Sequence, residues 1–409
     1  MIRVRTAHGS ATLVSGGDGD GGSNVVWIFI ITGQSLSVGC AAGNPTQTPY
    51  DAGPVTGHYQ NDNLQDDPRT GVQSPPSTWT LVAPHNPMRL EDAGGIYWPY
   101  NVWYESPHVG AARRFEELGF GATGWINVGY NGQPYSAIKK GGTSPSYDGS
   151  LDELTEMCTK LIALGKTPKV GGIIGIHGES DNGNADYGPV YIPEFQSDYD
   201  ADCKAITGQT EDIPYYFTQP SAGYPTTLGS SSSINDQMLA AHNGTTLVLA
   251  GAKYALPYIA SDFHLSPEGT WLMGKMIAEA IYAHKNGGFS PLRPSSAVKT
   301  SSTTIQVTFT GSGNGSLTFD TAWWDSNHST QLTEWADGKG FEVSDNSGRL
   351  TITDATISGN VVTITTSTSI GTSPVCSYAH TIDGDLKTRR GQLRTTSGNW
   401  CCHFSMSVT

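Results

Sequence analysis

Apolar and polar positions follow two different rhythms along the chain, and the change falls near residue 288. In the first part, short unbroken apolar runs alternate with segments of helical period. Residues 25–31 are apolar and largely β-branched, the pattern of a strand buried on both faces. Ser106-Pro107 opens a helix, with Ser as N-cap, Pro in the first turn and Gly119 as the stop. Residues 124–129 read as a second strand. Helical spacing of Leu154, Cys158, Leu161 and Ile162 follows over 151–165, and a third strand over 170–176. A helix over 194–206, a strand over 215–217, a helix over 234–241 and a strand over 245–250 continue the series. The last helix spans 267–284, with Leu272, Met276, Ala280 and Ala283 as its apolar stripe. Such alternation predicts a three-layer α/β fold, a parallel sheet flanked by helices on both faces.

Beyond Asn286-Gly287-Gly288 the helical period disappears, and Pro291 and Pro294 mark a linker. Period-two alternation takes over at Ile305, Val307 and Phe309, then Leu350 and Ile352, then Val362 and Ile364. Gly, Asn, Asp and Ser punctuate these runs, which predict an all-β sandwich of about 115 residues. The expected organisation is a Gly-Asp-rich lead-in that cannot pack (1–24), an α/β domain (25–288) and the sandwich (289–409). Between residues 40 and 100 the pattern is aperiodic, as in a long functional loop. Its Trp79, Tyr97, Trp98 and Tyr100, with Trp103 and Tyr104 just beyond, suit either sugar rings or packing on the domain.

Composition narrows the function classes. A formal charge of -14 argues against nucleic acid and anionic membrane surfaces as partners, since both need a basic patch. No apolar run is long enough for a transmembrane helix, and the N-terminus lacks the apolar core of a signal peptide. Cys40, Cys158, Cys203, Cys376, Cys401 and Cys402 form no CxxC pair and no zinc framework. A disulfide from Cys376 to Cys401 or Cys402, and free buried thiols, are both compatible with that spacing.

The candidate chemistry lies where predicted strands end. Ser35 lies just past the first strand, after its break at Thr32-Gly33, where parallel α/β sheets present reactive groups; a plain N-cap serine is the alternative. Gly132 lies in the loop after the second strand, and a bare backbone N–H there can approach a substrate oxygen. His177 follows the third strand, and His264, with Asp262 two residues before it, precedes the last helix. A hydroxyl nucleophile needs a neighbouring imidazole, and the imidazole an orienting acid, so Ser35, His264 and Asp262 together point to acyl transfer. His177, Glu179 and Asp181 share one face of an extended segment and invite a metal reading. The preferred alternative has Glu179 and Asp181 pinning loops by hydrogen bonds, with no metal and no cofactor.

Gly33-Gln34-Ser35-Leu36, Tyr130-Asn131-Gly132-Gln133, His177-Gly178-Glu179-Ser180-Asp181 and Ser261-Asp262-Phe263-His264 resemble, in order, sequence blocks of the SGNH hydrolase superfamily. Within it the resemblance is to the acetylxylan and sialate O-acetylesterase branch, over roughly residues 25–285. It implies Ser35 as nucleophile, His264 as base and Asp262 as the acid. The oxyanion would be bound by the Ser35 and Gly132 N–H groups with His177, and Gln34, Glu179 and Asp181 would support the site. Leu36 replaces that branch's Asn, and His177 replaces its Gln. The acid usually stands three residues before the His, a position held here by Ser261, so a Ser-His dyad is the alternative. The implied substrate is an O-acetylated carbohydrate, met outside the cell or by a virion. A polysaccharide-binding adhesin with a weak or inactive esterase domain is the rival. Trp323, Trp324, Trp335 and Trp400 make the sandwich a carbohydrate-binding module or a packing domain.

Overall fold

A computed structural model describes the chain apart from residues 1–23, 40–49, 52, 63–79, 85–104, 221–232, 260–263, 312–314, 322–336 and 381–390. The predicted lead-in, most of the aperiodic aromatic segment, Asp262, Cys40, Trp323, Trp324 and Trp335 therefore lie outside the described residues.

The α/β part runs β1 (Val25–Gly33), α1 (Ser35–Val38), β2 (Tyr59–Asp62), β3 (Thr80–Val82), α2 (Pro107–Leu118), β4 (Thr123–Asn127) and α3 (Tyr135–Ile138). It continues with α4 (Ser146–Ala163), β5 (Thr167–Ile176), α5 (Ile192–Thr207), β6 (Tyr215–Gln219), α6 (Ser233–Ala241), β7 (Leu247–Ala252) and α7 (Pro267–Lys285). Seven strands form one sheet in the order β3-β2-β4-β1-β5-β6-β7. All pairings are parallel except β2 with β3, so the sheet is mixed at one edge. These two edge strands lie in the stretch read as a loop: they are only four and three residues long, too short to show a period.

The central strand shows why its sequence is apolar throughout. Val26, Ile28 and Ile30 enter a core shared with α4, α5 and α6. Phe29 and Ile31 point the other way, into a core shared with α2 and α7. Alternate residues thus meet opposite cores, and both are apolar. Helices α2 and α7 touch backbone to backbone. A Cβ on Gly110 would lie 2.1 Å from the Trp271 carbonyl oxygen, and one on Gly274 2.0 Å from that of Pro107. One expectation fails here. The face of α7 sunk in the core carries Met273, Ile277, Ala280 and Ile281, while Leu272 and Met276 stay half-buried on its flank.

The β-rich part comprises β8 (Arg293–Lys299), β9 (Thr304–Thr310), β10 (Leu317–Phe319), β11 (Phe341–Asp345), β12 (Gly348–Leu350), β13 (Ile352–Ser358), β14 (Val361–Thr366), β15 (Val375–Tyr378), β16 (Leu393–Thr395) and β17 (Phe404–Ser407). Two four-stranded antiparallel sheets, β13-β14-β9-β8 and β12-β11-β15-β17, share one core, with β10-β16 as a separate pair. Cys158, Cys203, Cys376, Cys401 and Cys402 are free thiols in the interior, which removes the disulfide option between Cys376 and Cys401 or Cys402. Ala252, which ends β7, and Tyr254 and Ala255 just past it belong to the core of the β-rich part. The Gln219 side chain donates to the His403 carbonyl at 3.0 Å and accepts its N–H at 2.9 Å, so the two parts are sewn together at the end of β6. Among the described residues, no helix is long and apolar enough to cross a membrane.

Candidate active site

The strand order reverses direction at β1: β2 and β4 build out on one side, then β5, β6 and β7 on the other. Ligands of open α/β sheets sit at the carboxyl ends of strands beside such a reversal. Gly33 ends β1 with φ +135, and a Cβ there would lie 2.1 Å from the Ile176 carbonyl oxygen. Only glycine permits that approach of two backbones. Gln34, not Ser35, occupies the N-cap of α1. Ser35 is therefore the first helical residue, where a backbone N–H has no partner within the helix.

Ser35 Oγ and His264 Nε2 are 2.9 Å apart, with the two residues 7% and 4% exposed. They are 229 positions apart in sequence. The chain around His264 is held by an antiparallel pairing, with Ile259 N–H donating to the His264 carbonyl at 3.0 Å and Ser266 N–H to that of Pro257 at 3.0 Å. Ser266 then caps α7, its Oγ accepting the Gly269 N–H at 3.1 Å ahead of Pro267 in the first turn. His264 thus sits in a backbone segment pinned to Pro257 and Ile259.

The Tyr130–Gln133 turn is tied to the end of β1 by the Tyr130 N–H donating to the Gly33 carbonyl at 2.8 Å. Gly132 has φ +67, and a Cβ there would meet nothing within 4 Å, so glycine is required here by backbone conformation and not by crowding.

His177 does not offer a ring nitrogen to the site as expected. Its Nε2 lies 2.9 Å from the Gln133 carbonyl oxygen, an acceptor only, so Nε2 carries the proton and donates there. Nδ1 is left to accept from the Tyr187 hydroxyl at 2.9 Å. Both nitrogens are committed, and the side chain clamps the turn that carries Gly132. Burial disfavours the imidazolium and depresses its pKa, which the nearby Asp181 carboxylate opposes. Asp181 accepts the Tyr135 N–H at 2.7 Å, and Gln34 Oε1 accepts that of Ser180 at 3.2 Å. Glu179 turns to Lys253, whose Nζ lies 2.5 Å from Oε1. Among the described residues, no three His, Cys, Asp or Glu side chains are placed to hold one metal ion. Sequence reasoning missed Lys253, although a lysine interrupting the apolar run after β7 was a signal for a buried, paired charge.

No protein-family model matches the sequence, and no curated protein matches it significantly. Among solved structures, it is similar to a carbohydrate acetylesterase from Xanthomonas citri, with a TM-score of 0.55 at 14% identity over 93% of this chain and 80% of that one. A protein from Arabidopsis thaliana matches with a TM-score of 0.47 at 15% identity, over 64% of this chain and 98% of that one. NanS matches with a TM-score of 0.31 at 15% identity, over 48% and 68%. At these identities the likeness to the Xanthomonas enzyme is one of fold, an α/β sheet with a β-rich part after it.

Proposed function

We propose that this protein is a serine esterase of the SGNH type that removes O-acetyl groups from a carbohydrate through an acetyl-enzyme. The observation that carries the reading is the 2.9 Å contact between Ser35 Oγ and His264 Nε2 at the reversal of the sheet order. In that contact Nε2 accepts the hydroxyl proton, as a general base must. Ser35 Oγ attacks the acetyl carbonyl while His264 takes its proton. The oxyanion is received by the Ser35 and Gly132 N–H groups, each such donor being worth about 3 kcal/mol of barrier. His264 returns the proton to the departing sugar hydroxyl, and water then cleaves the acetyl-enzyme by the same route in reverse. Asp262 is assigned the orienting role toward Nδ1 of His264. His177 is assigned to positioning Gly132, in place of direct donation. Gln34, Glu179 and Asp181 hold the loops that meet at Ser35.

An acetylated polysaccharide places the enzyme outside the cell or on a virion. The test is acetate release from acetylated xylan, sialic acids and bacterial polysaccharides. Ser35→Ala and His264→Ala should each lower the rate by roughly 10⁴-fold or more with the circular dichroism spectrum retained. A near-normal rate in Ser35→Ala refutes the mechanism. Failure of Ser35 to react with a fluorophosphonate would instead favour an adhesin built on an inactive esterase fold.

A further inference from the structure

Where the α/β and β-rich parts meet, α7 and the turn that follows β16 line a cavity of about 330 Å³ that the proposed mechanism does not use. Its apolar wall is Leu272, Met276, Phe289 and Trp400, all half-buried. Leu272 and Met276 are members of the predicted α7 stripe that pack against the edge of the core without entering it. Trp400 is held in place. The Arg394 guanidinium lies 5.9 Å from its ring centre, and the Tyr254 ring meets it edge-on at 6.4 Å.

The polar side of the cavity carries Lys275, Glu279, Asp320, Arg394 and Asn399. Two of these charges are cationic and two anionic, and each is already answered by a counter-ion. Arg394 pairs with Asp320 at 2.6 Å, Glu279 with Arg114 at 2.8 Å and Lys275 with Glu117 at 3.2 Å. No charge is left to demand an ionic ligand, and a chain of net charge -14 repels polyanions. The Arg394 guanidinium has five N–H donors, more than its bonds to Asp320 and to the Thr395 carbonyl consume, and the Asn399 amide adds both donors and an acceptor. Aromatic surface from Trp400 and Phe289 beside hydrogen-bonding groups of balanced charge matches a ligand with one C–H face and a rim of hydroxyls.

We propose that this cavity is a binding site for a neutral saccharide, separate from the Ser35–His264 site. Helix α7 starts three residues after His264, and Leu272 and Met276 lie roughly 8 and 14 Å along it at 1.5 Å per residue. The cavity therefore receives units of a glycan chain further from the one at Ser35, a coupling that rests on the esterase reading. The saccharide site itself does not.

The experiment is isothermal titration of the full chain carrying Ser35→Ala with hexasaccharides of xylose, glucose and N-acetylglucosamine, and with polygalacturonate as a polyanion. At least one neutral hexasaccharide binds saturably. Asn399→Ala and, separately, Leu272→Trp, which fills the cavity from the helix side, weaken that binding tenfold or more with unchanged circular dichroism. Polygalacturonate does not bind. Absence of binding across the neutral panel, binding indifferent to both substitutions, or preference for the polyanion overturns the proposal. If the unsubstituted enzyme releases no acetate from any substrate while oligosaccharide binding still depends on Asn399, the esterase reading falls and the saccharide site stands.

Discussion

Lys253 and Glu179 offer a direct measure of how the proposed active-site loops are held. Lys253 is fully buried and Glu179 is 6% exposed, with Nζ 2.5 Å from Oε1. The second carboxylate oxygen, Oε2, is buried with no hydrogen-bond partner. Lys253→Met keeps the unbranched stem to within one atom and removes the charge, leaving an anion in the interior with neither oxygen answered. Breaking one side of a buried pair costs about 3–5 kcal/mol, a large share of the 5–15 kcal/mol that ordinarily holds a domain together. Glu179→Met should cost a similar amount by stranding the ammonium. The double variant replaces the pair with two apolar chains and should lose less than either single variant, because no uncompensated charge remains.

Urea unfolding followed by far-ultraviolet circular dichroism gives all four corners of that cycle. Single variants within about 1 kcal/mol of the parent, or a double variant whose loss is the sum of the two, would refute the reasoning. Glu179 stands between His177, which clamps the Gly132 turn, and Ser180, whose N–H meets Gln34 beside the proposed nucleophile. The double variant is therefore expected to recover stability without recovering the rate of acetate release.

Two further outcomes follow from the same geometry. Gly33→Ala puts a Cβ 2.1 Å from a backbone oxygen at φ +135, and should cost at least about 3 kcal/mol; an unchanged thermal melting temperature would contradict this. Burial, with a smaller push from Arg113, pulls the His58 pKa down to about 4. Because the folded value lies below the unfolded one, near 6.5, this stabilisation is complete above pH 6.5 and is lost as pH falls through 4. That gap corresponds to about 3 kcal/mol. Urea midpoints measured between pH 7 and pH 4 should fall less steeply for His58→Gln than for the parent; parallel slopes would sink the assignment.

Features set by neighbours in sequence were legible. The unbroken run before Gly33 could only be a strand between two cores, and the α2 helix ends at Gly119 in the left-handed conformation as its spacing implied. Ser106 occupies the N-cap position of α2, but its side chain makes no capping bond. Its Oγ accepts instead from Asn127 at 3.0 Å. The α7 stripe was legible as apolar but not as to which apolar residues meet the core, since that depends on how α7 rotates to bring Gly274 against α2. His177 shows the same limit more sharply. Its position after β5 was readable, yet its proton is directed by Gln133 and its other nitrogen by Tyr187, one of them 44 positions away.

The residues that sequence reasoning placed wrongly or missed share a physical cause. Lys253 and His177 each act through a partner that the fold brings in from elsewhere in the chain, and a lone polar residue gives no sign of who that partner is. A lysine is almost never fully buried without a counter-charge, so its appearance at 0% exposure requires one. Glu179 supplies it from across β6, the strand between β5 and β7. The ends of β1, β5 and β7 are therefore not independent platforms for Ser35, His177 and His264. They are joined by Gln34 to Ser180 and by Glu179 to Lys253, so displacing any one strand end shifts the other two. Such a cross-linked rim can keep a hydroxyl and an imidazole from distant parts of the chain within hydrogen-bond reach. It also predicts that the damaging substitutions will lie in these cross-links as much as in the two residues assigned to the chemistry.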